Sequence, residues 1–163
     1  MKFLRKNLIW IVMVPLGIVA DQITKLLAHN SLQGQPINLI GDWLGFYYTE
    51  NTGMAWSALS DKTWLLAIIS IAACIGIAIY YFLGKHESNW TSVGLIMIFI
   101  GALGNGIDRI FRGYVIDFIR LNFFKLFGGE FPIFNVADIF VTVGAIVLIV
   151  ALLFFEGRNK ENV

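Results

Sequence analysis

The stretch FNVADIFVTVGAIVLIVALLFF, Phe134 to Phe155, decides how the whole chain is read. From Ile139 onward it is uncharged and almost wholly apolar. With its leading residues it is long enough to cross the hydrocarbon of a bilayer, which takes about 20 residues of helix. Yet Asp138 stands directly before that run, and Asn135 three residues earlier. A charge at the bilayer centre costs about 2.5–3.5 kcal/mol on insertion scales, and less toward the surface. A membrane helix that opens on an amide and an acid therefore implies a use for both.

The composition agrees with an embedded chain. Of 163 residues, 58% are hydrophobic and only 14% charged, far from the balance of a soluble domain. A net charge of +1 gives no footing for a nucleic-acid partner, and none is expected. The single cysteine, Cys74, rules out a disulfide framework and a cysteine-based metal site. His29 and His86 are expected in solvated loops and are too few to build a metal site alone. No metal and no other cofactor is expected.

Four segments are long and apolar enough to span a membrane, at about 8–28, 64–83, 90–111 and 133–155, within one integral membrane domain over residues 1–163. The start, MKFLRKNLIWIVMVPLGIVA, has the basic-then-apolar order of a leader. Ile18 stands where a cleavage site needs a small residue, so the run is read as the first membrane helix. The connections are unequal: a short polar turn at 84–89, and longer outer loops at about 29–63 and 112–132. Within the first of these, FYYTENTGMAW reads as short strands and turns rather than helix. Trp43, Leu44, Phe46 and Trp56 give that loop enough apolar surface to lie on a membrane. The leading Lys2, Arg5 and Lys6 place both termini inside, with the long loops facing outward.

The polar residues of the spans are not scattered. Asp21 and Lys25 are spaced i, i+4 and can pair on one face, toward the outer end of the first helix. Asn105, Asp108 and Arg109 sit near the outer end of the third, and Asn135 and Asp138 in the first turns of the fourth. Asp117 follows the third helix, and Asn51 lies in the long loop. Alternating crossings bring all of them to one leaflet, whichever side is outside. A structural ion pair explains Asp21 with Lys25 equally well. The four acids, however, outnumber Lys25 and Arg109, which leaves two carboxylates without a cation. Two like charges about 4 Å apart repel by about 4 kcal/mol at an effective dielectric of 20, roughly three pKa units. The cheap solution is a shared proton, the working state of an aspartic protease. Asp117 and Asp138 are the best candidates: they flank one loop, and neither has a basic residue at helical spacing.

Five boxes then carry a family resemblance: DQITK (Asp21–Lys25), NTGMAW (Asn51–Trp56), GALGNGIDR (Gly101–Arg109), VIDF (Val115–Phe118) and FNVAD (Phe134–Asp138). In this order, in a chain of this size, they resemble the bacterial lipoprotein signal peptidases, the signal peptidase II family. The resemblance covers nearly the whole chain and departs at Trp56, where phenylalanine is more usual. It implies an all-α membrane protein of four transmembrane helices with a small extracytoplasmic β-cradle and outer loop. The implied activity is that of an intramembrane aspartic endopeptidase of the bacterial cytoplasmic membrane, cutting prolipoproteins before a cysteine that already carries diacylglyceryl. Its catalytic pair would be Asp117 and Asp138. Asn51, Gly53, Asn105, Asp108, Arg109 and Asn135 would line the site, with Asp21 and Lys25 as support. The implied partners are prolipoprotein substrates and membrane lipids, and the chain is expected to act as a monomer. The rival reading is a small transporter or channel subunit, which needs polar residues through the full membrane depth. Here they stop at one leaflet.

Overall fold

A computed structural model describes residues 2–53, 62–83, 88–122 and 131–154. The elements run α1 (Lys2–Leu32), β1 (Ile37–Ile40), β2 (Leu44–Asn51), α2 (Thr63–Leu83), α3 (Asn89–Phe111), β3 (Val115–Leu121) and α4 (Val136–Phe154). Among the described residues, four helices are long and apolar enough to cross a membrane. Their outward faces are apolar: Leu16, Ile75, Ile146 and Phe154 are all more than half exposed. In lipid that surface needs no cover.

α3 is the central helix, packed against α1, α2 and α4. Glycines allow the closest of these approaches. Gly94, Gly101 and Gly104 recur at spacings of seven and three residues and so share one face. A Cβ on Gly101 would stand 2.3 Å from the Ala137 carbonyl oxygen, and one on Gly144 would stand 2.9 Å from that of Gly94. Small residues at such crossings let helix backbones touch where no hydrophobic effect drives association. Tyr81, Leu95, Ile96 and Ile100 form the buried core toward the other end of the bundle.

The strands make one antiparallel sheet in the order β1-β2-β3. The β1–β2 turn closes with Trp43 N–H donating to the Ile40 carbonyl at 2.9 Å. Gly41 occupies it at φ +48°, a left-handed conformation that costs glycine nothing. Side chains alternate along β3. Ile116 and Phe118 bury against Ala28 and Leu32 at the end of α1, forming a second small core. Asp117, between them in sequence, belongs to the opposite face.

Several expectations need correction. α1 continues past the expected 28 to Leu32, because nothing breaks it before Gly34, whose φ is +70°. α4 starts at Val136 rather than 133, so Asn135 precedes the helix instead of lying in its first turn. The stretch 112–132 is not only loop, since it contains β3, and Asp117 is a strand residue. His29 is not in a loop: it lies in the last turn of α1, half-buried, with its Nδ1 3.0 Å from the Tyr48 hydroxyl. Trp56 and His86 lie outside the described residues.

Candidate active site

At the end of the bundle where α1 and α3 finish and α4 begins, a buried ionic cluster ties the elements together. Lys25 is fully buried, with Nζ 2.9 Å from Asp21 Oδ2, 3.0 Å from Asp108 Oδ2 and 2.9 Å from Asn105 Oδ1. Its three donors thus meet three acceptors. Asp21 Oδ1 accepts from Ala137 N–H at 2.9 Å, satisfying an amide at the start of α4 that has no partner within its own helix. Asp108 pairs with Arg112, one helical turn on, and accepts from Ile116 N–H at 3.3 Å. Gln22 Nε2 donates to Asp21 Oδ2 at 3.1 Å and Asp108 Oδ1 at 3.2 Å, while its Oε1 accepts from Arg112 at 3.3 Å.

Beside this cluster stand the other two acids. Phe134 pairs with Ile119 of β3: its carbonyl accepts from Ile119 N–H at 2.8 Å, and its N–H donates back at 3.1 Å. That pairing sets Asn135 beside β3 just where α4 starts. Asn135 Oδ1 accepts from Asp138 N–H at 3.0 Å, and Asp138 Oδ2 accepts from Asn135 N–H at 3.0 Å. This is a capping box, with the shorter Asp in the place of the usual Glu or Gln. It answers why a membrane helix opens on an amide and an acid. The side chain of Asn135 also donates to Asp117 Oδ1 at 2.6 Å.

Asn51 Nδ2 donates to Asp117 Oδ2 at 2.8 Å, and Asn105 Nδ2 donates to Asp138 Oδ1 at 2.8 Å. Each of the four carboxylate oxygens therefore has one N–H donor. Asn51 is itself oriented by Gly53, whose N–H donates to its Oδ1 at 3.0 Å. Asp117, Asp138, Asn51, Gly53 and Arg109 line one cavity of about 520 Å³, otherwise walled mainly by apolar residues such as Phe134, Ile139 and Val143. Asp117 is 3% exposed. Burial, and then the nearby Asp138 charge, push its carboxyl up from 3.8 to about 7, against the opposing hydrogen bonds of Asn51 and Asn135.

The family model described as Signal peptidase (SPase) II matches residues 13–154. The chain belongs to the signal peptidase II family. It is 37% identical over 149 residues to a lipoprotein signal peptidase of Lactococcus lactis subsp. cremoris, covering 91% of this chain and 95% of that protein. To that of Clostridium tetani it is 38% identical over 154 residues, covering 94% and 97%. A solved bacterial membrane enzyme, determined by the in meso method, superposes with a TM-score of 0.79 at 35% identity, covering 88% of this chain and 86% of that one. This signal peptidase II is thus a protease and a multi-pass bacterial membrane protein.

Every site residue named from the sequence falls at this end of the peptidase, in two joined groups. Asp21, Lys25 and Asp108 form the buried ionic cluster, and Asn105 and Asn135 link it to the cavity. Sequence reasoning missed three participants. Arg112, assigned to the outer loop, balances Asp108, so the cluster is electrically even without Arg109; its i, i+4 spacing from Asp108 was the available signal. Gln22 sits inside the DQITK box, but its bridging role had no local sign. Ser70 is the polar contribution of α2, accepting from Arg109 at 3.4 Å, and nothing in an apolar helix marks it.

Proposed function

We propose that this peptidase is an aspartic endopeptidase. It removes signal peptides from prolipoproteins by cutting just before a cysteine that bears diacylglyceryl, with Asp117 and Asp138 as the catalytic pair. The observation that carries the reading is that these two carboxylates line one cavity, with Asn135 bonded to both, and neither makes a salt bridge among the described residues. A pair so placed is most stable holding one proton between its members. The ionised member takes a proton from water as the water oxygen attacks the scissile carbonyl carbon. The protonated member gives its proton to the carbonyl oxygen, which leaves a tetrahedral diol. Collapse re-forms the carbonyl and breaks the C–N bond: the carboxyl proton passes to the departing nitrogen, a diol hydroxyl gives its proton to the other carboxylate, and the pair returns to one proton. Asn51, Asn105 and Asn135 hold the carboxylates in place, while Arg109 reaches the cavity to orient the substrate backbone.

A lipid-bearing substrate diffuses within the bilayer, so its cleavage point lies near the membrane surface. A site at the ends of α1 and α3 meets it there if both termini are cytoplasmic and the sheet faces outward. Every residue given a role in this reading comes from one copy of the chain, so the reading needs no second copy. The test is purified protein with a diacylglyceryl-modified prolipoprotein and with its unmodified precursor. Asp117→Asn and Asp138→Asn are each expected to lower cleavage by at least about 10³-fold with folding retained, in keeping with the loss of acid–base catalysis. Cleavage surviving in both variants would refute the pairing, and equal cleavage of the unmodified precursor would refute lipid recognition.

A further inference from the structure

We infer that the two carboxylates have fixed and different roles: Asp138 is the ionised member that takes the proton from water, Asp117 holds the shared proton, and Lys25 enforces this order by orienting the amide of Asn105. The inference rests on the catalytic pairing proposed above and goes beyond it.

Hydrogen-bond number does not distinguish the two acids, because each accepts two N–H donors. Their settings do. Asp138 is the third residue of α4, in the first turn, where the positive end of the helix dipole favours an anion. Asp117 is in mid-strand, and strands carry little net dipole. Asp117 is 3% exposed, whereas Asp138 is only part-buried. Burying a neutral carboxyl costs far less than burying a carboxylate. The proton therefore belongs on the strand and the charge on the helix.

Lys25 adds the third asymmetry. An ammonium donates and cannot accept, so its contact at 2.9 Å compels the oxygen of the Asn105 amide to face it. Asn135 Nδ2, 3.1 Å from the same oxygen, holds it there too. Only the Asn105 NH₂ group is left for Asp138 Oδ1. A cation on the oxygen polarises the amide and strengthens its N–H as a donor. The corresponding amide on Asp117 is that of Asn51, whose oxygen meets only the neutral Gly53 N–H. Among the described residues, the other charges facing the pair are Arg109 of α3 in the shared cavity and Asp21 and Asp108 behind Asn105. Glu50 of β2 is engaged by the Tyr48 hydroxyl at 2.8 Å, and α2 carries no charge.

Of the two acids, Asn105 donates only to Asp138 and Asn51 only to Asp117, so the assignment can be tested by reciprocal perturbation. The measurement is kcat/KM against pH on the diacylglyceryl-modified prolipoprotein, whose two limbs report the free enzyme's base and acid. Asn105→Ala is expected to move the acidic limb up by about one to two pH units and leave the alkaline limb in place, since a hydrogen bond to a charged group is lost. Asn51→Ala is expected to move the alkaline limb up and leave the acidic one. Lys25→Met with Asp21→Asn keeps the cluster's net charge and should repeat the Asn105→Ala shift. Added to Asn105→Ala, it should shift the limb no further. Limb positions do not depend on how much enzyme is folded, so a purely structural loss cannot imitate these shifts. If the two alanine variants exchange limbs, the roles are reversed and the inference fails. If no limb moves in any variant, both the assignment and the Lys25 relay fail. A shift in Asn105→Ala without one in the Lys25 variant removes Lys25 from it. Cleavage surviving in both Asp117→Asn and Asp138→Asn would instead overturn the pairing itself.

Discussion

Asn135 concentrates the local chemistry: it caps α4, receives Asp138 in a capping box, and donates to Asp117 and to Asn105. Asn135→Ala removes the side-chain cap and both side-chain donations at once, while the backbone N–H still reaches Asp138 Oδ2. Loss of the cap alone costs about 1 kcal/mol. The larger effect should be on kcat, by about 10²-fold or more, because Asp117 loses a donor and Asn105, which holds Asp138, loses one of the contacts that fix its amide. Unfolding and steady-state cleavage on the same preparation separate the two effects. Asp117 makes a pH prediction. Its folded value of about 7 lies above the ordinary 3.8, so the folded state binds more protons between those values. Stability from this group is full below about 3.8 and is lost as pH rises through about 7. Melting temperature should fall across that window in the wild type and less steeply in Asp117→Asn. Cleavage should fall above pH about 7 as the proton is lost.

Among the elements, the α3–α4 crossing matters most, because it sets Asn105 against Asp138. A Cβ on Gly101 would stand 2.3 Å from the Ala137 carbonyl oxygen and 3.0 Å from the Val141 amide nitrogen, and neither backbone atom can yield. Gly101→Ala should push α4 away, costing about 1–3 kcal/mol and lowering kcat disproportionately. Gly76 in α2 is the control: a Cβ there meets nothing within 4 Å. Gly76→Ala should be neutral or stabilise by up to about 1 kcal/mol with cleavage unchanged. Denaturant titration in micelles alongside a cleavage assay reads both.

At the scale of the whole molecule, the ionic cluster acts as the clasp between α1, α3, β3 and α4. Lys25→Met alone leaves Asp21 and Asp108 buried with one fewer cation and should cost about 3–5 kcal/mol, measured by unfolding in micelles. Adding Asp21→Asn should recover part of that loss. The proposed orientation is tested by labelling in intact cells. Asp42→Cys, in the exposed sheet turn, should react with a membrane-impermeant maleimide. Asn89→Cys, exposed at the start of α3, should react only after permeabilisation. The opposite pattern would invert the molecule in the bilayer.

The four spans and the gathering of polar residues at one end were legible in the sequence for a simple reason. Hydropathy over about 20 residues is a local property, and alternating crossings then fix which helix ends lie together. The identity of the acids was legible too, since a charge in such a helix stands out from its neighbours. Pairing was less so. Asp117 read as a loop residue because the partners of β3 lie far away: β2 at Thr49 and Glu50, and Phe134 beyond the following loop. Arg112 read as loop because it stands one residue past Phe111, the last of α3, and the count of uncompensated charge ends on the same two acids only because Arg109 sits apart from the cluster. Asn135 and Asp138 are visible in the sequence at the start of α4, as an oddity of one helix. That they cap that helix, and that the same amide reaches Asp117, required the backbone of residue 134 to be hydrogen-bonded to β3, a contact between segments that no local spacing encodes.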